Sequence, residues 1–424
     1  MTTTPDTTGR QAADVLTEGV GRRTLLRAAA ALASVGAVGT VGTVATGTAR
    51  AAGGDLAVLQ PGAGRIRGTY VPTRPGQVSW GKLPNRDTEA IASIASGSVV
   101  TFDTVSHEGV LEDQGRDPRG YFAGFGVPAS QVLRDAVAVA AEAVHDGPGP
   151  HVVTGPVAVR GAVRGDVLKV EVLDLALRVP YGVVSNRHGK GALPGEYPET
   201  WEGVRRYEEY FNEGGNISVF TPVDDSGQRG RLPGVPNGFP LSPFLGLMGV
   251  ARDTGVLVDS VPPTVAGGNI DINDLVVGST LWLPVQVPGA KFFTGDPHMA
   301  QGDGEVALTA MEGSLRATLR LTVVKPGGPA PSVAFAGYAF GETPSHWLPI
   351  GLSDPDGPVD GQLTSLDDAM KAAVRNALAF LTRDLGMDAP VAYAYLSAAA
   401  DFQVSQVVDR TTGVHALVRK ADFR

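Results

Sequence analysis

From about residue 56 to residue 300 the chain is cut by Gly or Pro every 8 to 12 residues, and the pieces between are short runs of Val, Leu, Ile and Phe. Gly and Pro supply the backbone geometry of turns and interrupt helices, so this spacing favours short strands joined by turns. Runs at 98–102, 151–160, 167–178, 279–287 and 304–310 read as strands. The pattern predicts a β-rich fold with flanking α, built as a two-sheet sandwich or barrel-like core rather than as alternating β-α units. Two helical patterns flank it. Residues 131–145 are rich in Ala and Val and stop at Asp146-Gly147-Pro148. A second pattern starts at Ser365 with Asp368 three residues on, a capping box, and keeps Met370, Val374, Leu378 and Leu381 at helical spacing up to Gly386. Residues 390–400 suggest another short helix, and 403–408 with 414–418 a closing hairpin.

The N-terminus carries Gly21-Arg22-Arg23-Thr24-Leu25-Leu26-Arg27, then an uncharged Ala, Val, Gly and Thr stretch over 28–47, then Ala49-Arg50-Ala51. This is the layout of a twin-arginine export signal with an A-x-A cleavage site, with a retained anchor as the alternative. The expected organisation is a signal over 1–51 and one domain over 52–424, with a loop-rich excursion near 181–240. The segment to Ala51 holds five arginines and three acids, so its removal takes the net charge from -9 to -11. No later run reaches the roughly 18 consecutive apolar residues of a membrane span. The expectation is an acidic, soluble protein exported to the extracellular or cell-envelope space, with no stable membrane association once the signal is gone. Its charge gives no electrostatic reason for a nucleic-acid partner. The chain has no cysteine, which excludes disulfides, iron–sulfur clusters, thiolate zinc sites and cysteine nucleophiles together.

Three segments concentrate chemistry. If the run ending Phe102-Asp103-Thr104-Val105-Ser106-His107-Glu108 is a strand, alternation sets Asp103 and His107 on one face, as a structural pair or as two groups converging on a cation. In Gly267-Gly268-Asn269-Ile270-Asp271-Ile272-Asn273, period two sends Asn269, Asp271 and Asn273 to one face and the isoleucines to the core; a Gly/Asn turn is the alternative. The densest is Gly295-Asp296-Pro297-His298-Met299-Ala300-Gln301-Gly302-Asp303-Gly304-Glu305, with three acids, one His and three glycines in eleven residues. Glycines let a backbone approach a ligand closely, and alternation would put Asp303 and Glu305 on one face with Val306 and Leu308 inward. His145, His151, His346 and His415 have no acids clustered beside them in sequence and read as structural or solvent-exposed.

These segments together resemble the acetamidase/formamidase family. The residues that carry the resemblance are Phe102-Asp103 with Ser106-His107-Glu108-Gly109, Thr154-Gly155-Pro156, Gly165-Asp166-Val167-Leu168, Pro243-Phe244-Leu245-Gly246, Met248-Gly249-Val250, Gly267-Gly268-Asn269-x-Asp271, Gly278-Ser279-Thr280-Leu281, the whole Gly295 to Glu305 run, Leu396-Ser397 and residues 403–408. The resemblance implies a two-sheet sandwich with flanking helices, hydrolysis of a small linear amide of the formamide or acetamide type to carboxylate and ammonia at a metal-dependent site, and a homodimer or higher homo-oligomer. The 121–146 and 181–237 stretches depart from the family's shorter pattern, which leaves room for larger or cyclic amides.

Alternative amidase chemistries find no support in the residues. There is no cysteine nucleophile, no Gly/Ser-rich stretch around paired serines and no G-x-S-x-G elbow. Activated water remains. A divalent cation held by nitrogen and oxygen ligands lowers the pKa of its water to about 7 and polarises a carbonyl. The expected ligands are Asp103, His107, Asp271 and His298. Imidazoles with carboxylates suit Zn²⁺, and a carboxylate-rich set also accepts Mn²⁺, Mg²⁺ or Ca²⁺. The expected general acid/base is Glu305, with Glu108 and Glu312 as alternatives, and Asn269 and Asp296 are expected to orient the substrate or to accept the free N–H of a metal-bound His. An exported protein that binds a small amide or a metal without turnover is the reading of another class.

Overall fold

The punctuated sequence forms two large sheets stacked face to face in a computed structural model that describes residues 56–200, 210, 216–354 and 365–423. The proposed export signal lies outside the described residues. The first sheet runs in the order Thr69–Val71, Ser98–Asp103, Leu315–Val324, Val167–Leu177, Thr280–Pro284, Phe340–Glu342, His346–Leu352, Gly413–Arg419, Asp401–Gln406. All its neighbours are antiparallel except the first pair, which is parallel. The second sheet runs Gly267–Asn269, Phe244–Val250, Phe292–Ala300, Met311–Glu312, Tyr181–Asn186, Ile217–Pro222, and Val152–Val159 joins it by pairing with Phe292–Ala300. Both sheets end in edge strands, so the fold is a sandwich and the barrel-like variant is not taken.

Alternation explains the core. Along Val167–Leu177, Leu168, Val170 and Val172 turn inward while Lys169 and Glu171 turn out and pair at 3.1 Å. With Phe102, Leu319 and Leu321 they meet Val157, Leu245, Met248, Val250 and Phe292 of the other sheet. The Phe102 and Phe292 rings cross the interface edge to face, with centroids 5.7 Å apart. Each such side chain contributes about 1.5–3 kcal/mol on burial.

Helices cover the outer faces. Pro118–Ala123 and Arg134–Glu142 bury Phe122, Ala136 and Val139 against Trp80, Tyr181 and Met311. The second helix is shorter than the 131–145 pattern. On the other side Leu366–Arg383 and Ala389–Ala399 cover the first sheet. The Ser365 hydroxyl accepts the Asp368 N–H, as the capping box predicts. The closing hairpin forms as Asp401–Gln406 with Gly413–Arg419.

Two local expectations fail. Residues 304–310 are not a strand, because Glu305 and Leu308 have positive φ and the chain turns there. As a result Val306 is exposed and Glu305 buried, opposite to the alternation expected for them. The 181–240 excursion is only partly loop: Tyr181–Asn186 and Ile217–Pro222 are paired strands of the second sheet. Among the described residues no helix is long and apolar enough to cross a membrane.

Candidate metal centre

Strand Phe292–Ala300 delivers Asp296 and His298, two residues apart and therefore on one side of the sheet. Its neighbour Phe244–Val250 places Gly246 beneath them. A Cβ there would lie 2.5 Å from Asp271 Oδ1, 2.6 Å from His298 Cε1 and 2.9 Å from Asp296 Oδ2, so only glycine leaves the space the cluster occupies. The backbone N–H groups of Ile270 and Asp271 donate to the Gly246 carbonyl, at 3.0 and 3.1 Å, and aim Asp271 into the same space. Glu312 comes from Met311–Glu312, in register with His298. His107 follows the end of Ser98–Asp103, and His151 immediately precedes Val152–Val159. Asp271, Asp296 and Glu305 all hold φ near +47° or +48°. Non-glycine residues avoid that left-handed region, and such conformations concentrate at functional sites, where surrounding structure enforces them.

The side chains converge tightly. His298 Nε2 is 3.0 Å from Asp296 Oδ2, 3.0 Å from Glu312 Oε1 and 4.0 Å from Glu305 Oε1, while its Nδ1 is 3.9 Å from Asp271 Oδ1. His107 Nδ1 is 3.5 Å from Asp296 Oδ1 and 4.0 Å from Glu312 Oε2, and His151 Nε2 is 3.7 Å from Asp296 Oδ2. Asp296 and Glu312 thus each face His107 with one oxygen and His298 with the other. Three overlapping trios have ligand atoms close enough for one cation: His107, His151, Asp296; Asp271, His298, Glu305; and Asp296, His298, Glu312.

Electrostatics follow from burial and crowding. Burial lifts the Glu305 and Asp271 carboxyls well above their ordinary range, with neighbouring acids adding to it, and lifts Glu312 to about 7. Burial alone would raise Asp296, but the charge of His298 and the contacts with His107 and His298 overcome that cost and hold it well below the ordinary range. Burial lowers His151 to about 4, leaving a neutral imidazole. His107 is raised to about 10, since Asp296 and Glu108 outweigh its burial. Glu108 falls to about 2: His107 and Arg187 overcome its burial, and Gln114 donates to its other oxygen.

The residues fit a divalent cation. Both His107 nitrogens, both Asp271 oxygens, Asp296 Oδ1 and Glu312 Oε2 are buried without a hydrogen-bond partner among the described residues. Orphaned buried polar atoms are costly unless something absent from the chain satisfies them. Gln301 adds the outer support typical of metal sites: its Oε1 lies 3.0 Å from His298 Nδ1, and its Nε2 donates to the Asp271 and Ser405 carbonyls.

The structure brings His107, Asp271, Asp296, His298, Glu305 and Glu312 together and leaves Asp103 out. Asp103 is fully buried, but it accepts from Arg316 at 2.6 and 2.9 Å and from the Tyr70 hydroxyl, with Arg178 at 3.5 Å. Its strand ends at Asp103, so alternation does not continue to His107, and Asp103 faces Arg316 in register on the adjoining strand. Asn273 likewise leaves the expected face to donate to the Gln301 carbonyl and Asp303. Glu108 borders His107 from behind and Asn269 lines the cavity, with Nδ2 donating to Asp409 and Oδ1 unpartnered. His151 and Asp409 are the residues sequence reading missed. His151 has no acid nearby in sequence, and Asp409 sits in the turn of the closing hairpin, 140 residues from Asn269. A Ser405–His415–Asp274 chain resembles a hydrolytic relay, with contacts of 2.8 and 3.1 Å, but Ser405 is buried and does not line the cavity. It ties the hairpin to the sandwich.

His107, His151, Asp296, Glu305 and Glu312 of the cluster line a cavity of about 760 Å³. A two-sheet sandwich carrying a buried nitrogen- and oxygen-donor cluster on the floor of a cavity defines the class. The sequence matches the Acetamidase/Formamidase family over residues 146–260 and 255–418, and the chain belongs to that family. It is 27% identical over 199 residues to an acetamidase of Mycolicibacterium smegmatis, covering 37% of this chain and 49% of that one, and 24% identical over 213 residues to a formamidase of Methylophilus methylotrophus, covering 42% and 52%. The chain thus spans about half the length of the curated relatives it matches. Crystal structures of acetamidases from Bacillus halodurans (TM-score 0.62, 24% identity, 84% of this chain and 98% of that one) and Yersinia enterocolitica (0.63, 22%, 86% and 95%) share the fold.

Proposed function

We propose that the protein is a metal-dependent amidase that hydrolyses the C–N bond of small linear amides, the observation carrying this being the orphaned donor atoms of the buried cluster on the cavity wall. The amide R–CO–NH₂ and water give R–COO⁻ and ammonium: a C–O bond forms, the C–N bond breaks, and both water protons end on nitrogen, one of them carried there as the C–N bond breaks. A cation would be held by a trio such as Asp296, His298 and Glu312 or His107, His151 and Asp296, with Asp271 beside His298, and imidazoles with carboxylates favour Zn²⁺, with Mn²⁺, Mg²⁺ or Ca²⁺ as the alternatives. Such a cation polarises the carbonyl and acidifies water.

The protein groups do the rest. Glu305 lines the cavity beside His298 and is the general acid/base, taking the proton from water and giving it to the leaving nitrogen. Glu108 is unsuited to that role: it sits behind His107 and stays ionised. The unpartnered Asn269 Oδ1 is available to accept from the substrate NH₂, and Asp409 fixes the orientation of that side chain. The twin-arginine layout supports export by that route to the extracellular or cell-envelope space, and the family relationship supports a homo-oligomer. Glu305→Gln tests the assignment: the proposal expects ammonia release to fall at least a hundredfold with metal content unchanged, and unchanged release would overturn the role of Glu305. A second reading, amides larger than acetamide, is favoured by the cavity volume.

A further inference from the structure

His107 faces carboxylates with both ring nitrogens. Its Nδ1 lies 3.5 Å from Asp296 Oδ1 and 4.0 Å from Glu312 Oε2, within the cluster, while its Nε2 stands 3.4 Å from Glu108 Oε1. The other two imidazoles have the reverse orientation. His298 and His151 bring Nε2 to Asp296 Oδ2, at 3.0 and 3.7 Å, and their Nδ1 atoms meet Gln301 Oε1 and Ser260 Oγ, each at 3.0 Å. Glu108 is 3% exposed and does not line the cavity, so it meets no substrate. It is nonetheless built into place. Its backbone N–H donates to Ser106 Oγ at 3.2 Å, its Oε2 accepts from Gln114 Nε2, and Gln114 Oε1 accepts the Gly109 N–H. Gly109 holds φ +85°, and a Cβ there would stand 2.6 Å from the Phe122 ring, so this segment packs down on Pro118–Ala123. Arg187 Nη2 lies 3.7 Å from Glu108 Oε1, and Asp113 holds Arg187 in turn by accepting from its Nε at 3.2 Å.

We propose that Glu108 is a positioning residue: it accepts the Nε2–H of His107, so that His107 meets the cation through Nδ1, and Arg187 and Gln114 hold Glu108 for that purpose. This rests on the metal-dependent reading of the cluster, with His107, His151 and Asp296 as ligands. A neutral imidazole carries its hydrogen on one nitrogen only, and the partner of that nitrogen decides which one is left to bind metal. With no acceptor at Nε2, nothing keeps the hydrogen off Nδ1, where Asp296 and Glu312 stand ready to accept it. The Glu108–Gln114 contact has a polarity that substitutions can reverse. Glu108→Gln matches the carboxylate in size but turns an NH₂ toward a donor in either rotamer, Gln114 Nε2 or His107 Nε2. Adding Gln114→Glu makes the Gln114 side chain the acceptor and leaves the carbonyl at position 108 facing His107, while the contact to the Gly109 N–H is kept.

The test measures Zn²⁺ affinity by competition with a chromogenic chelator and records proton–nitrogen correlation spectra of the Zn²⁺-loaded protein with isotopically labelled histidines. In the wild-type protein one Zn²⁺-bound histidine is expected to carry its hydrogen on Nε2, the reverse of His151 and His298. Glu108→Gln is expected to lose that signal and to bind Zn²⁺ about 10–100-fold more weakly. The double variant with Gln114→Glu is expected to regain the signal and most of the affinity, a rescue that a merely structural role for Glu108 would not produce in the histidine spectrum. Zn²⁺ affinity unchanged in Glu108→Gln would overturn the proposal. So would a wild-type spectrum in which every Zn²⁺-bound histidine carries its hydrogen on Nδ1, a result that needs no variant to fold. The expected zinc pattern without ammonia from any amide would strike the amidase reading alone. Ammonia release that depends on Zn²⁺, with the Nε2–H signal missing from the wild-type protein, would strike this inference alone.

Discussion

Asp103 and Asp296 are both buried aspartates of strands in the family pattern, and their neighbours give them opposite work. Asp103 is saturated by Arg316 and Tyr70, whereas Asp296 stands among three imidazoles with Oδ1 unpartnered. Removing one partner of a buried ion pair costs about 3–5 kcal/mol. Asp103→Ala is therefore expected to lower the denaturation midpoint sharply while the folded fraction keeps its metal, measured by chemical denaturation and elemental analysis. His298→Ala is expected to do the reverse, losing metal and ammonia release with the fold retained. Gly246→Ala would press a methyl group into Asp271 and His298, and elemental analysis is expected to show metal loss at least tenfold below wild type. The acids and histidines near 107, 271 and 298 were legible because the chain concentrates them beside glycines. His151 was not, because what makes it part of the cluster is the pairing of Val152–Val159 with Phe292–Ala300, a contact across 140 residues that local sequence does not encode.

Elements were legible where a local rule decides them. Ser365 starts its helix and the capping bond forms, so Ser365→Ala is expected to cost about 1 kcal/mol in chemical denaturation. The buried face of that helix was legible only at its C-terminal end, where Leu381 is fully buried and Leu378 packs beside it. Met370 is partly exposed, and over the first turns the stripe facing the sheet is Ala369, Ala373 and Ala377, because Gly351 of His346–Leu352 brings the backbones together. A Cβ on Gly351 would lie 2.0 Å from the Ala373 nitrogen, so Gly351→Ala is expected to cost about 1–3 kcal/mol by forcing the helix outward. The 304–310 run failed as a strand for a related reason: its alternating pattern was outweighed by the turn that buries Glu305 at φ +48°.

At the scale of the whole molecule, the cluster draws residues from between positions 107 and 312 and from segments flanking several strands of the sandwich, so it exists only when the sheets are assembled. A cation that binds the folded form alone stabilises it by about 2.7 kcal/mol when present at about a hundred times its Kd. The most direct measurement is ammonia release from formamide, acetamide and butyramide by the purified protein, with metal content determined before chelation, after chelation and after re-addition of Zn²⁺. Release that vanishes with the metal and returns with it, in step with stoichiometry, is the predicted result. Release that persists in metal-free protein would contradict the account.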